Sequence, residues 1–519
     1  MKRILDFLNK HSIVIAIFFA GTALRFYNLT KISLWHDEAF SALLIKYPWG
    51  EMMYRIGLDV HPPMYYIFLR VWHYIFGYSL FSLRAMSVAF GIATIIAVYI
   101  LVKRFFGSTQ AALIAASLIA FNPFQIQYVT EARMYTMSAF FAVLATYYLG
   151  LALQDTKNYY TQNNPILRPS ITKVSLYYIA FTITASILTY THYYLLFTVA
   201  GLGLAGILYC FIQFRFSIKK YLWLLFSGLG IAVLFIPWLK IFLFQFKQVG
   251  AGYWIPPINV WSIPSTIYDL FIHIGQPSKI VMIACTLLAL YALWQVFKQY
   301  QQTEKWLIII PFLAPFGGSL LFALLAAIRH QESSVYLVRY FLFASPFFLI
   351  IITLWLHRLK INAVKWLLLA GLLVLNTFAV FYYWQQLDVD QKPGMASLAQ
   401  LINKNVEPGH KLYVASSFEF FNFKYYNHSS AKPLLFTNGS HVHNLPHFAG
   451  TAILAEDDLV LNFKEATKPG DTVWLIWTNG FGGSKPIVPS NWNQIDEHGF
   501  AEVRPYVGTW VVVTEYRVD

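Results

Sequence analysis

Long apolar stretches separated by short polar connections make up most of this chain. About eleven of them approach the ~20 apolar residues that a helix needs to cross a ~30 Å hydrocarbon layer. They lie near residues 11–28, 81–102, 108–122, 134–153, 174–190, 193–214, 221–239, 280–297, 306–328, 338–356 and 366–384. The pattern therefore predicts a polytopic α-helical membrane protein with about eleven transmembrane helices.

Residues 62–78 form a further apolar stretch, but Arg70 and His73 lie in its middle. A membrane crossing there would reverse the side on which every later connection lies. We therefore interpret this stretch as an amphipathic helix in the membrane interface, and we expect a similar helix over 40–57. The first outer loop, 29–80, would then be a folded part of a transmembrane domain over 1–384.

Composition and charge support the bilayer as the main solvent. Only 12% of the 519 residues are charged and 58% are hydrophobic, whereas soluble proteins average about 25% charged residues. The net charge of +14 is spread in pairs and triplets between the apolar stretches, which argues against nucleic acid as a partner. With a cytoplasmic N-terminus, every predicted cytoplasmic connection is basic, as the positive-inside rule requires. The first apolar stretch lacks a small-residue cleavage pattern, so we expect a retained span rather than a signal peptide.

An odd number of crossings from a cytoplasmic N-terminus places residues 385–519 outside the cytoplasm. The composition of this segment becomes polar. Short apolar runs predict one helix and three strands, at Ala396–Asn403, Lys411–Ala415, Thr472–Trp477 and Trp510–Glu515. The sequence thus predicts a small extracytoplasmic α/β domain over 385–519.

Few residues offer metal or thiol chemistry. His441, His443 and His447 favour a solvated loop over a metal site, because no carboxylate or cysteine partner lies near them in the sequence. The cysteines, Cys210 and Cys285, lie in apolar segments and predict small core residues.

The polar residues that could carry chemistry fall on the predicted outer connections. These are Asp37, Glu38, Asp59 and His61 in the first; Glu131 and Arg133 in the second; His192 in the third; Trp254 and His273 in the fourth; and Arg329, His330, Glu332 and Arg339 in the fifth. A random distribution would not segregate in this way, and charged residues near hydrocarbon indicate function. We expect a polar cavity in the outer half of the helix bundle.

The adjacent acids Asp37 and Glu38 point about 100° apart on a helix, so they do not address one atom together. One of them could act as a general base or metal ligand. The alternative is helix capping, with Asp37 as the N-cap and Glu38 in the first turn. The motif alone leaves both interpretations open.

A carboxylate and a guanidinium occur together at Glu131 and Arg133, just before an apolar stretch. A helix-start charge pair is the alternative, but transfer from a phosphorylated donor needs such groups to deprotonate the acceptor and hold the leaving phosphate. Arg339 fits either a phosphate site or a snorkelling arginine. His61 fits either a phosphate donor or a turn cap. The aromatic surroundings of His192 favour an interfacial position.

Five segments together resemble the GT-C superfamily of membrane glycosyltransferases. They are WHDEAF, DVHPPMYYIFLRVW, FSLRAMSVAFG, NPFQIQYVTEARMYTM and RYFLFASP, within residues 10–385. The chain is most similar to the branch with protein O-mannosyltransferases and the lipid A aminoarabinose transferase. The resemblance implies that a sugar is transferred from a polyprenyl phosphate, with inversion, outside the membrane.

The resemblance also implies roles for individual residues. Asp37 and Glu38 match the first-loop acidic pair, with Asp37 as the catalytic base, and Glu131 matches the second-loop carboxylate. Arg133 and Arg339 are implied phosphate contacts, as is His61, where aminoarabinose transferases have lysine. The remaining predicted residues of the donor or acceptor pocket are Asp59, Tyr65, His192 and Tyr340.

The sequence thus predicts an inverting glycosyltransferase, in the broad transferase class EC 2.4, in a bacterial plasma (inner) membrane. Its partners would be a polyprenyl-phosphate-sugar donor, a lipid, glycan or protein acceptor, and membrane lipid. The sequence identifies no cofactor, and the acidic pair is compatible with Mg²⁺ or Mn²⁺ if further ligands are present. The alternatives are a secondary transporter, which the lack of a visible repeat disfavours, and a non-catalytic lipid-binding envelope protein.

Overall fold

The structure is a computed structural model that describes residues 2–250, 255–328, 334–387, 394–502 and 508–519. Its contacts divide the chain into two compact units. The helical unit comprises Met1–Tyr27, His61–Tyr65 and Arg84–Tyr382, and the sheet unit comprises Asn28–Val60, Tyr66–Leu83 and Tyr383–Asp519. The residues of the first outer loop are thus grouped largely with the C-terminal segment.

Helices dominate the described chain. In order they are α1 (Lys2–Phe26), α2 (His36–Leu44), α3 (Trp49–Leu58), α4 (Met64–Phe76), α5 (Leu80–Phe106), α6 (Thr109–Phe121), α7 (Pro123–Val129), α8 (Tyr135–Thr161), α9 (Ile171–Thr189), α10 (Leu195–Phe214), α11 (Leu222–Gly250), α12 (Ser262–Phe271), α13 (Lys279–Gln299), α14 (Trp306–Ile328), α15 (Ser345–His357), α16 (Asn362–Gln386), α17 (Gly394–Asn405), α18 (Ser417–Tyr426) and α19 (Phe463–Ala466). The strands are β1 (Lys411–Val414), β2 (Pro433–Phe436), β3 (Leu459–Val460), β4 (Thr472–Thr478), β5 (Trp492–Glu502) and β6 (Thr509–Val518).

Every predicted apolar stretch contains an α-helix, but the count of eleven crossings is not confirmed. Within the described ranges, eight helices are long and apolar enough to cross a membrane, or nine if the bent pair α6 and α7 is one span. The apolar parts of α1 and α15 are shorter, at Ser12–Phe26 and Ser345–His357. The chain is therefore a polytopic helical protein with a small C-terminal sheet domain.

The bend between α6 and α7 measures 53° and follows from local chemistry. Pro123 has no N–H to donate to the Ile119 carbonyl four residues earlier, which interrupts the helical ladder. Asn122 caps the new helix by accepting from Gln125 N–H at 3.0 Å. The buried Arg25 guanidinium of α1 donates to the carbonyls of Ile119 and Ala120, both at 2.9 Å. The backbone groups at the break therefore have hydrogen-bond partners, and the break directs the chain into the second outer connection.

The sheet unit contains one mixed sheet of six strands in the order β3-β2-β1-β4-β6-β5. The first four in this order are parallel, with Leu412 opposite Trp474, and β6 runs antiparallel, with Leu475 opposite Thr514. Tyr413, Val473 and Trp492 are among the buried residues of its core. The three predicted strands and the predicted helix are observed as β1, β4, β6 and α17. The polar strand β5 was missed because six successive residues, 493–498, are exposed and give no apolar pattern.

The first outer loop folds as short helices, as predicted, but with different boundaries. The single helix expected over 40–57 is wrong, because α2 ends at Leu44 and α3 begins at Trp49 after Pro48. The 62–78 stretch contains α4, whose 13 residues are too few for an ordinary crossing. Within the sheet unit, α2 packs on α18, with the His36 ring 5.2 Å from Phe418.

Candidate active site

The second outer connection, which carries Glu131 and Arg133, lies in the helical unit between α7 and α8. Its backbone leaves the helical pattern there, since Arg133 N–H donates to Glu131 O at 2.8 Å. The Ser87 hydroxyl donates to the Arg133 carbonyl at 3.3 Å. Glu131 and Arg133 are 4% and 2% exposed. A charge pair that merely begins a helix at the surface would not be buried to this extent.

Four predicted site residues from distant parts of the chain meet in the helical unit. Arg133 Nη2 lies 3.4 Å from His61 Nε2. The ring centroids of His61 and His192 are 5.8 Å apart, and those of His192 and Tyr340 are 4.6 Å apart. The Met64 N–H donates to the Tyr190 carbonyl at 2.8 Å and joins the chain after His61 to the turn before His192. We call His61, Arg133, His192, Arg339 and Tyr340 the cationic cluster.

Arg339 completes this cluster from the turn that precedes α15. Its charge, with those of His61 and Arg133, acts on His192, and it shares the neighbourhood of the Tyr128 hydroxyl with Glu131. Its side chain is half-buried. An arginine that only snorkels to the interface would not be expected to act on the buried side chains of both His192 and Tyr128.

The structure places His192 inside the helical unit. The side chain is only 7% exposed and lies in the turn between α9 and α10. Burial, and then the charges of His61, Arg133 and Arg339, lower the pKa of His192 well below its ordinary value. His192 is therefore a neutral group in the cationic cluster.

Asp37 and Glu38 lie at the start of α2 in the sheet unit, and the structure separates their roles. Trp35, not Asp37, is the N-cap, so the prediction of Asp37 as N-cap is wrong. Glu38 is fully buried and its Oε2 accepts from the Trp35 N–H at 3.4 Å, half of a capping box. The Asp37 carboxylate is half-buried in the first turn. Helix capping therefore explains the role of the Glu38 side chain but not that of the Asp37 side chain.

The remaining predicted residues fall in different places. Tyr65 is fully buried in the helical unit, and Asp59 is buried at the C-terminal end of α3 in the sheet unit. Trp254, Arg329, His330 and Glu332 lie outside the described residues.

The described part of the chain contains no evident metal-binding site. There, no three His, Cys, Asp or Glu side chains are grouped closely enough to hold a metal ion. The His441 Nδ1 does lie 3.1 Å from Glu456, so the carboxylate that its sequence neighbourhood lacks is supplied by the fold. Asp37 and Glu38 alone are too few oxygen ligands for Mg²⁺ or Mn²⁺, so we derive no step through a cation.

Three hydrogen-bonded side chains form a network near the second outer connection, and the sequence analysis identified only one of them. His273 Nδ1 lies 2.9 Å from Asp269 Oδ1, and its Nε2 lies 2.8 Å from Gln127 Oε1. Gln127 is four residues before Glu131, so this hydrogen-bonded network supports the turn in which the buried Glu131 carboxylate lies. The sequence singled out His273 alone, although an acid four residues before a histidine is a recognisable helical spacing.

The arrangement in the helical unit suits an anionic ligand. Two guanidinium groups and two histidines surround a buried region, and guanidinium groups bind phosphate through paired, charge-assisted hydrogen bonds. Glu131, whose charge acts on the same Tyr128 hydroxyl as that of Arg339, adds a carboxylate to this region.

Comparisons with known proteins identify the fold. Residues 60–241 match the sequence model of the dolichyl-phosphate-mannose-protein mannosyltransferase family. The structure is similar to that of ArnT from Cupriavidus metallidurans bound to undecaprenyl phosphate, with 13% identity, a TM-score of 0.64, and coverage of 97% of this chain and 98% of that one. This chain has the GT-C fold. The GT-C resemblance predicted from the sequence is thereby confirmed.

Other solved structures also match this chain. ArnT from the same organism in the apo state matches with 14% identity, a TM-score of 0.64 and 98% coverage of both chains. The oligosaccharyltransferase AglB from Archaeoglobus fulgidus matches with 14% identity, a TM-score of 0.48, and coverage of 90% of this chain and 70% of that one. No curated protein sequence matches this chain.

Proposed function

We propose that this protein is an inverting glycosyltransferase that takes a sugar from a polyprenyl-phosphate donor. The observation that carries the proposal is the cationic cluster, in which Arg133 and His61 lie 3.4 Å apart and the charge of Arg339 acts on the same buried region. The similar ArnT structure contains undecaprenyl phosphate, which supports a lipid phosphate as the anion.

The proposed reaction is one in-line displacement. A carboxylate accepts the proton of the acceptor hydroxyl, whose oxygen forms a new bond to the anomeric carbon. The bond from that carbon to the phosphate oxygen breaks, and its electron pair leaves with polyprenyl phosphate. Because phosphate is stable as an anion, no general acid is needed, and Arg133 and Arg339 stabilise the developing charge. We assign the base to Asp37, since the neighbouring Glu38 acts as a helix cap.

The proposed location is the plasma (inner) membrane of a bacterium, with the N-terminus in the cytoplasm and the sheet domain outside it. The positive-inside pattern supports this orientation. The transferred sugar would then enter a lipid, glycan or protein of the envelope.

The donor site is tested with the purified full chain and undecaprenyl phosphate. Arg339→Ala should weaken binding by about tenfold or more, because a charge-assisted hydrogen bond contributes about 1.5–3 kcal/mol. Arg168→Ala removes an exposed arginine and is the matched control. Equal affinity of the two variants would contradict the phosphate assignment.

The reaction itself is tested in cells with and without the gene. Mass spectrometry of undecaprenyl-linked sugars and envelope glycans should show that the lipid-linked sugar accumulates and that one envelope sugar disappears when the gene is deleted. Unchanged profiles for both would refute the glycosyltransferase proposal.

A further inference from the structure

His192 offers a feature that the proposed reaction does not yet use, namely a ring whose tautomer the fold determines. The Tyr194 N–H donates to His192 Nδ1 at 3.1 Å. A backbone N–H only donates, so Nδ1 of His192 carries no proton. Because burial lowers the pKa of this ring, the neutral form dominates, and its one proton lies on Nε2.

The Nε2–H group of His192 has no acceptor among the residues that the structure describes, although the ring is only 7% exposed. A donor that the protein leaves without an acceptor is available to a ligand or to water. The ring is fixed in place, since its neighbours include His61 at 5.8 Å and Tyr340 at 4.6 Å between ring centroids.

The charges around His192 indicate which ligand atom this donor meets. The groups that act on it are His61 from the first connection, Arg133 from the second and Arg339 from the turn before α15. Its other ring neighbours are the phenol rings of Tyr194 and Tyr340. A position shared by these cations suits an anionic oxygen, and a neutral N–H beside them adds a hydrogen bond without adding charge repulsion.

We propose that His192 binds the lipid phosphate directly, donating from Nε2 to a phosphate oxygen as a neutral group. The inference rests on the proposed function and deepens it. It divides the cluster into Arg133 and Arg339, which neutralise the charge, and His192, which fixes the orientation of the phosphate through one directional bond. Its contribution to affinity should not change between about pH 6 and about pH 8, where an ordinary histidine changes charge.

Two variants of the full chain separate this role from packing. His192→Phe keeps a ring beside Tyr340 but removes the donor, whereas His192→Gln keeps a neutral N–H donor near the position of Nε2. Affinity for undecaprenyl phosphate should fall about tenfold in His192→Phe, by the same factor at about pH 6 and about pH 8, and be largely retained in His192→Gln. His428→Phe changes an exposed histidine of the sheet unit and should bind as the unaltered chain does.

Other outcomes would overturn the assignment in distinguishable ways. If His192→Phe binds undecaprenyl phosphate normally, or loses affinity only at the lower pH, the neutral donor is refuted. If it binds the bare lipid phosphate normally and only the sugar-bearing lipid weakly, the acceptor is a sugar hydroxyl and the phosphate assignment is refuted. If the unaltered chain binds no undecaprenyl phosphate, the proposed function fails and this inference fails with it.

Discussion

At the residue scale, adjacent acids of one motif have different tasks. Glu38 is fully buried and hydrogen-bonded to the start of its own helix, whereas Asp37 is half-buried one position earlier. Side chains that point about 100° apart enter different surroundings. A mutation at one position should therefore not reproduce a mutation at the other.

We predict that Asp37→Asn lowers turnover by roughly 10²–10⁴-fold, the range typical of a lost general base, while the protein stays folded. Glu38→Ala should instead lower the unfolding free energy by about 0.5–2 kcal/mol through loss of a cap. Transfer assays and thermal unfolding in detergent measure the two effects. Normal turnover in Asp37→Asn would remove Asp37 from the mechanism.

At the element scale, the break between α6 and α7 determines where the second connection begins. Pro123 leaves the Ile119 carbonyl without its helical partner, and the neighbouring Ala120 carbonyl lies beside the same 53° bend. Arg25 compensates both from a helix that lies about a hundred residues earlier in the chain. Since α7 leads directly to Glu131, this arginine is a positioning residue for the cationic cluster.

Arg25→Met should leave both carbonyls buried without these donors, at a cost of about 1–3 kcal/mol for each group. Thermal stability should fall, and undecaprenyl phosphate should bind more weakly because Arg133 loses its fixed position. Arg104→Met removes an exposed arginine near the end of α5 and should change neither quantity. Equal behaviour of the two variants would show that Arg25 does not hold the break.

At the scale of the whole molecule, the two units respond to different conditions. The helical unit contains the cationic cluster, while the sheet unit contains a buried pair of acids, Glu419 and Glu502. Burial raises the pKa of Glu502 to about 7. Burial, and then the charge of Glu502, raise the pKa of Glu419 well above its ordinary value. The pair therefore retains a proton that exposed glutamates lose.

This pair makes the stability of the sheet unit depend on pH. The folded pKa of Glu502 lies above the unfolded one, so its stabilising contribution is complete below about pH 4.3 and is lost as the pH rises through about 7. Hydrogen exchange in α18 and β5 of the full chain, corrected for intrinsic rates, should therefore increase between about pH 5 and about pH 8. Glu502→Gln should reduce this dependence, and the exposed Glu407→Gln should not. The same pH dependence in both variants would contradict the prediction.

The sequence by itself determined the class of the protein and most of its helices. Apolar length specifies a membrane helix because the bilayer offers no partner for free backbone groups, so each predicted stretch became a helix. The count remained uncertain because short helices such as α15 lie near the length limit. Strands β1, β4 and β6 could be predicted from apolar runs, whereas β5 could not, since an exposed edge strand has no apolar periodicity.

Only the tertiary structure decided which polar residues belong together. His61, Arg133, His192 and Tyr340 are spread over nearly three hundred positions, and no local pattern links them. The fold buries His192 beside His61 and Tyr340, and one backbone N–H from Tyr194 determines the tautomer of its ring. Local sequence encodes whether a segment is a helix. The pKa and hydrogen bonds of a side chain depend on neighbours that the fold brings from elsewhere.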